Sequence, residues 1–486
     1  MSAPTVALLI VAGVVIATIV FGSVAVRRLD MNPEQYIVGG RSFGALFLWV
    51  LLAGEIYTSF TFLGAAGWAY GRGAPAFYIL CYGAVAYGIS YFLAPLIWKV
   101  GKDHGLLTAP DFFADRYRSK ALGVIVAVVG FVFLIPYVTL QLTGLQILLT
   151  IAGYGTVDAR LAVGIAFLAV TLFVFASGLR GTAWVSIVKD ALVLGAVIFA
   201  GIALPIRFFG SPAAVVSRVL DSHPHWFTLA AGAAPYGELW FVTTVILTAL
   251  GFYMWPQSFG AIYSAKSADA LRRNAIFLPF YQLMLLLVYF AGFTALLLVP
   301  GLKSSAADQS FMLVIQRYYS PAVLGLIAAA GCLAALVPVT GQLIAAASLI
   351  TKNVMSDVFG ASRSERARTA QTRGIVVLVA ALALLFWLFR PPSLVELLLL
   401  GYNGVTQFFP GVVFALTTWR ASAWGVGGGI CAGIATLVAL QLSGHPSDFH
   451  GVNPGLIALG VNVGICFFVS ACARGRRPAE GAATAA

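Results

Sequence analysis

Charge is scarce in this chain. Asp, Glu, Lys and Arg together make up 9% of its 486 residues, while 60% are hydrophobic. That scarcity excludes an ordinary soluble domain, and a mean hydropathy of +0.95 points to many long apolar runs instead. Length therefore counts membrane spans, not soluble domains. Cysteine is sparse too. Cys81, Cys332, Cys431, Cys466 and Cys472 all fall in apolar segments and form no CxxC pair. They read as small core residues, with no disulfide framework and no metal site. HExxH, GxSxG and His/Cys clusters are missing, which removes the motifs that would support a membrane enzyme. An ATP-binding motif is missing as well, so energy is expected from an ion gradient or the membrane potential. Acidic residues are outnumbered, 17 against 29 basic, for a net charge of +12. Nucleic acid is nevertheless rejected as a partner: the basic residues sit in short loops between apolar runs, which is the pattern that sets membrane topology.

What is abundant is span-length apolar sequence. Thirteen stretches have about the 20 residues that a bilayer requires: 5–26, 45–70, 74–98, 121–152, 161–178, 183–204, 237–263, 275–299, 321–350, 374–389, 394–418, 422–443 and 454–472. The longest, 121–152, is expected to tilt or bend at Pro136. No basic residue precedes the first stretch, and Arg27 and Arg28 follow it directly, so it reads as a retained helix and not a cleaved signal. With the N-terminus outside, 21 Lys/Arg fall on the cytoplasmic side and 7 outside, with Lys189 inside a span. That bias predicts a multi-pass membrane protein, N-terminus outside and C-terminus cytoplasmic; the expected location is a bacterial-type inner (plasma) membrane. The lipid bilayer is one expected partner. In the loop 101–120, Thr108, Pro110 and Asp111 suit the start of a short surface helix. The outer loop 205–236 is expected to hold a short interfacial helix; His223 and His225 within it are read as loop residues. The Gly/Ala/Pro-rich tail, 473–486, is expected to be disordered.

Two spans carry polar groups where lipid would penalise them. Residues 46–70 read LFLWVLLAGEIYTSFTFLGAAGWAY. Glu55 sits near the middle, followed by Tyr57, Thr58, Ser59 and Thr61, while Gly54, Gly64 and Gly67 offer places to unwind. A carboxylate among hydroxyls inside a membrane marks a polar path. Residues 249–263 read ALGFYMWPQSFGAIY. Pro256, flanked by Gly251 and Gly260, predicts a break near Trp255–Gln257, with Tyr253, Trp255, Gln257 and Ser258 around it. Broken helices at matching places in two halves point to a transport site at their junction. The second break lies five spans after the first. This predicts an all-α membrane fold of about 13 helices: an extra N-terminal helix (5–26), a first repeat of five (45–204), an inverted second repeat (237–418) and two C-terminal helices (422–472).

Six segments, in order, are similar to the sodium:solute symporter family: GEIYTSFTFLGAAGWAY, LTAPDFFADRYRS, GLRGTAWVSIVKD, WPQSFGAIYSAKSADALRRN, AALVPVTGQLIAAASLITKNVMSDVF and LLGYNGVTQFFPGVVFALTTWR. The branch it most resembles is the bacterial monocarboxylate and acetate permeases. The resemblance implies a leucine-transporter-like fold, alternating access and a substrate held between the broken helices. It also implies an ion site, and there the chain departs from the family. Where sodium-coupled members carry an adjacent Ser/Thr pair, this chain has Val337 and Pro338, beside Thr340. Where they often carry an acid in the fifth helix, it has Ser186, with Lys189 one turn on. Sodium is a hard cation that wants several oxygens. The Lys189 ammonium is therefore expected to take its place, with Glu55 a second proton carrier and Ser186 and Thr340 completing the coupling set. Pairing of Lys189 with Asp190 is expected to be poor, because adjacent helical residues point about 100° apart.

For the substrate, half-helix N-termini offer amide donors to a carboxylate. The expected substrate contacts are Gly54, Glu55, Tyr57, Thr58, Ser59, Tyr137, Gln141, Tyr253, Trp255, Gln257, Ser258, Asn403 and Gln407, with Gln342 as a further polar residue. No buried arginine stands ready to grip a dicarboxylate, which favours a small monocarboxylate, with H+ or Na+ as coupling ion and no cofactor. The leading expectation is thus a secondary transporter of a small organic acid. A sodium symporter whose ion site uses other oxygens, a transporter-like sensor and a channel are the alternatives; the paired broken helices weigh against a channel. The sequence leaves the oligomeric state open.

Overall fold

The computed structural model describes residues 1–26, 38–357, 360, 365–389, 393–417, 419 and 421–475. Arg27, Arg28 and the tail from residue 476 onward lie outside the described residues, as does the side chain of Arg180. Among the described residues, ten helices are long and apolar enough to cross a membrane, or twelve when each of two bent pairs counts as one span. A shorter apolar helix, Ala159–Phe175, coincides with the remaining expected span.

Helix α1 (Ala3–Val26) leads into the first bent pair, α2 (Ala45–Ile56) and α3 (Phe60–Arg72). Then come α4 (Tyr78–Asp103), the short α5 (Ala109–Tyr117), α6 (Lys120–Ala152) and α7 (Ala159–Ile198). The second bent pair is α8 (Glu238–Gly251) and α9 (Pro256–Ser264). It is followed by α10 (Ala268–Gln282), α11 (Leu285–Leu298), α12 (Pro321–Ser348), α13 (Glu365–Leu388) and α14 (Leu394–Val405). The chain closes with α15 (Phe409–Leu416), α16 (Ala423–Leu442) and α17 (Pro454–Gly475). The span containing α12 has 83% of its apolar window buried, against 22% for α1, so α12 is central and α1 peripheral. Helix α6 runs unbroken through Pro136.

Both bent pairs turn by 50°, but their chemistry differs. The first break falls at Tyr57–Ser59 and not at a glycine; Gly54 and Gly64 both stay helical. Hydroxyls satisfy the backbone groups that the break frees. The Thr58 N–H donates to Thr61 Oγ1 (2.9 Å), the Phe60 N–H donates to Thr58 Oγ1 (3.1 Å), and Thr61 Oγ1 donates to the Ile56 carbonyl (2.8 Å). Threonine competes with helical hydrogen bonds in this way, and a break inside a membrane demands such substitutes. The glycines serve close approach instead: a Cβ on Gly67 would lie 2.5 Å from Asp308 Oδ1, and one on Gly64 3.0 Å from Leu394 Cβ. The second break is set by proline. Trp255 is extended (φ −61°, ψ 137°), as a residue before proline prefers, and Pro256 opens α9 at a position where no N–H is needed.

At the α5 end, Thr108 caps its helix in a box with Asp111, as the sequence leads one to expect. Asp111 also pairs with Lys352 and accepts from Asn353 Nδ2 (2.6 Å). Burial pushes its carboxyl up, but the Lys352 charge and these hydrogen bonds outweigh burial and hold it below the usual carboxylate range. In the 205–236 loop, Pro212–Ser222 is helical, and Trp226 ties the loop to the bundle: its carbonyl accepts from the Ala74 N–H (2.7 Å) and its indole N–H donates to the Ala69 carbonyl (3.0 Å). His223 leans on the Trp226 ring.

At the α3 end, Asp308 lies on the turn Ser304–Gln309, outside the spans, and is 2% exposed. It accepts the Leu394 N–H at 2.8 Å, at the start of α14. Burial pushes its carboxyl up to about 7, with the Leu394 bond pulling down and Glu396 pushing up. The folded pKa exceeds the unfolded value of 3.8, so the stability it confers is full below that value and is lost as pH rises through about 7. Asp308→Asn keeps an acceptor for Leu394 without the charge. It is expected to melt higher than the wild type at pH 8, by the equivalent of roughly 1–4 kcal/mol, and to match it near pH 4. Equal pH slopes in thermal melts of the two proteins would refute this.

Candidate functional site

The two breaks face each other. Glu55, in the last turn of α2, and Gln257, in the first turn of α9, line the same two internal cavities. Helix α12 passes beside them at Gly341, where a Cβ would sit 3.4 Å from Glu55 Oε1, so a missing side chain leaves room for the carboxylate. The first cavity has a volume of about 40 Å³, room for roughly three waters or a few heavy atoms. The second, about 30 Å³, runs from Glu55 and Gln257 past Ser348 to Thr108, at the α5 end. Glu55, Gln257 and Ala261 line both cavities.

An aromatic cage surrounds the first cavity. Tyr137 and Trp255 pack at 4.7 Å, and Trp255 and Tyr402 at 5.2 Å, with Tyr82, Tyr87 and Tyr253 completing the wall. Two donors on this wall, Tyr87 Oη and Trp255 Nε1, have no hydrogen-bond partner in the protein. Buried donors left unpaired are costly, and a cavity beside them suggests that a ligand supplies the acceptors. Among the described residues, no arginine lines either cavity.

Behind α2 lies a second polar group. Lys189, fully buried on α7, donates from Nζ to the Gly54 carbonyl at 3.1 Å, at the end of the opening half-helix. A Cβ on Gly54 would meet Ser186 Oγ at 3.3 Å, Lys189 Nζ at 3.4 Å and Val337 Cγ1 at 3.8 Å, so all three converge on that glycine. The expectation of a poor Lys189–Asp190 pair is corrected here: Nζ lies 2.7 Å from Asp190 Oδ1. The four-carbon lysine stem spans the angle that separates neighbouring helical positions. Tyr281 donates to the same Asp190 oxygen at 3.4 Å. Thr340 Oγ1 donates to the Leu336 carbonyl within α12, and Ser186 Oγ to the Thr182 carbonyl within α7.

The structure thus gathers Glu55, Tyr137, Tyr253, Trp255, Gln257 and Ser258 on one cavity wall. Other residues named from the sequence stand elsewhere. Tyr57 donates to the Tyr281 carbonyl and meets that ring edge to face. Thr58 and Ser59 shape the break; the Ser59 N–H donates to Gln141 Oε1 at 3.3 Å. Gln342 faces the Tyr137 hydroxyl. Asn403 and Gln407 turn toward α17, where Gln407 meets Asn462 and the Gly455 carbonyl. Sequence reasoning missed Tyr82, Tyr87, Gln282 and Tyr402, and noted Thr61 only as a hydroxyl of the broken span. Tyr402 lies one helical turn from Leu398, which lines the same cavity. Tyr82 and Tyr87 share their span with Tyr78, Ser90 and Tyr91, and nothing in the sequence marks which of these faces the cavity.

The profile of the sodium:solute symporter family matches residues 36–433. The uncharacterized symporter YhjB of Bacillus subtilis is 40% identical over 478 residues, covering 96% of this chain and 97% of that protein. A monocarboxylate transport permease protein of Rhizobium johnstonii is 31% identical over 465 residues, covering 92% and 91%. Among solved structures, a Na+-coupled sialic acid symporter in a substrate-bound, outward-open state superposes with a TM-score of 0.79 at 16% identity, covering 96% of this chain and 98% of that one. That likeness establishes the leucine-transporter-like fold.

Proposed function

This chain belongs to the sodium:solute symporter family, and from that premise we propose that it carries a small monocarboxylate across the membrane by alternating access, with the Lys189 ammonium in the place of a sodium ion. Members of the family are transporters, not enzymes. One observation carries the coupling part: the Lys189 amine donates to the Gly54 carbonyl where α2 ends, with Val337 packed beside it in place of an oxygen ligand. A fixed ammonium supplies the charge a sodium ion would bring, and in this reading it is the first proton carrier. Glu55, between the two cavities, is the second proton carrier. In this reading the Asp308 end faces outside and the Asp111–Lys352 end faces the cytoplasm of a bacterial-type cell.

The substrate part rests on the cage. The unpaired donors Tyr87 Oη and Trp255 Nε1 suit one carboxylate, the aromatic walls suit a short apolar tail, and the absence of arginine among the described lining residues disfavours a second carboxylate. The small volume and the name of the Rhizobium relative support the same class. Purified protein in proteoliposomes, given labelled acetate, propionate or lactate, is expected to accumulate substrate under an imposed inward proton gradient and to ignore a sodium gradient. Uptake that follows sodium and ignores protons would replace this with a sodium symporter using other oxygens. Tyr87→Phe is expected to raise KM about 10-fold or more at little cost to maximal uptake, since a hydrogen bond to a charged group is worth roughly 1.5–3 kcal/mol. An unchanged KM would remove Tyr87 from the substrate site.

A further inference from the structure

A groove with a volume of about 730 Å³ lies on the outer face where α2, α7 and α10 meet, away from both internal cavities. Its walls include Leu46, Trp49, Phe277 and Phe280. Leu46, Phe277 and Phe280 are 73%, 59% and 65% exposed, on helices long and apolar enough to span a membrane. Such a face meets acyl chains, not water.

One end of the groove is polar in a specific way. Arg273 lines it, is exposed, and forms no ion pair among the described residues. Asn274, also in the wall, is 2% exposed. Its amide nitrogen donates to the Ala45 carbonyl (3.1 Å) and the Ala270 carbonyl (2.8 Å), which fixes the orientation of the amide. That leaves Asn274 Oδ1 buried without a partner. A cation beside a buried, unpaired acceptor, at the head of an apolar slot, calls for a ligand with an anion, a hydroxyl donor and a hydrocarbon tail.

We propose that this groove is a binding site for phosphatidylglycerol, with the phosphate on Arg273, a glycerol hydroxyl donating to Asn274 Oδ1, and an acyl chain along Leu46, Trp49, Phe277 and Phe280. Phosphatidylcholine has the phosphate but no headgroup donor. Phosphatidylethanolamine has a donor but no net negative charge to match the arginine. The site bears on transport through its wall: Trp49 packs on Tyr281 at 5.1 Å, and Tyr281 in turn packs on Tyr57 at 4.9 Å and donates to Asp190. A bound lipid therefore braces the opening half-helix against the Lys189–Asp190 pair.

The test uses the full chain, delipidated in detergent, with each lipid added back and bound lipid counted by native mass spectrometry. Phosphatidylglycerol is expected to bind at one site more tightly than the other two lipids, and Arg273→Ala to weaken that binding about fivefold, one surface arginine's share of roughly 1 kcal/mol. Chain-brominated phosphatidylglycerol is expected to quench the fluorescence of the wild type more than that of Trp49→Phe. Because Arg273 is exposed, its loss leaves the fold intact. Equal binding of all three lipids, or an Arg273→Ala protein that binds phosphatidylglycerol as the wild type does, overturns the proposal and leaves only ordinary annular lipid.

Discussion

Lys189→Ala is expected to reduce uptake by on the order of 100-fold and to destabilise the protein by about 3–5 kcal/mol, the usual cost of stripping one partner from a buried ion pair. Asp190 would then be left buried with only a long hydrogen bond from Tyr281, and the Gly54 carbonyl would lose its donor at the break. Destabilisation alone would not distinguish a strut from a coupling group. The double variant Lys189→Ala with Asp190→Asn removes both charges and is expected to recover most of the melting temperature while uptake stays lost. If uptake returns along with stability, the pair only holds α7 against α2. If Lys189→Ala transports normally with an unchanged pH profile, the amine has no part in coupling.

Glu55→Gln should separate binding from coupling at the other candidate. A glutamine keeps nearly the same volume beside Gly341, so the cavities should survive. It cannot take up or release a proton. Net uptake under a proton gradient is expected to fall at least about 10-fold, while exchange of labelled for unlabelled substrate at equilibrium persists, because exchange needs the site but no net proton movement. Wild-type uptake should rise as the external pH falls, and the variant should be flat. Equal pH responses in the two proteins would leave Glu55 as a polar contact only.

Much of this architecture is legible in one dimension. The apolar stretches are long enough that hydropathy alone locates them, and Pro256 dictates the second break because it lacks an N–H and constrains Trp255 before it. The first break was legible in place but not in cause. Gly54 and Gly64 looked like the weak points, yet both stay helical and Thr58 and Thr61 do the unwinding. Lys189 stood out because charge inside a span is rare. Its partner did not, since judging the Asp190 pair from helical angle ignores how far a lysine stem can reach.

The sequence by itself determined that this is an all-α membrane protein with two interrupted spans and a buried acid and amine, because those features are set by local hydrophobicity, proline stereochemistry and the cost of charge in lipid. Only the tertiary structure decided which polar side chains share a chamber. Tyr402 enters the cage while Asn403, next in the chain, turns toward α17 at Gly455; Tyr82 and Tyr87 enter it from a helix that also carries Tyr78, Ser90 and Tyr91. The physical reason is rotation: successive residues on a helix diverge by about 100°. Which of them faces the cavity is therefore fixed by how the helix packs against partners far along the chain, as Gly251 does against Thr406 and Tyr402.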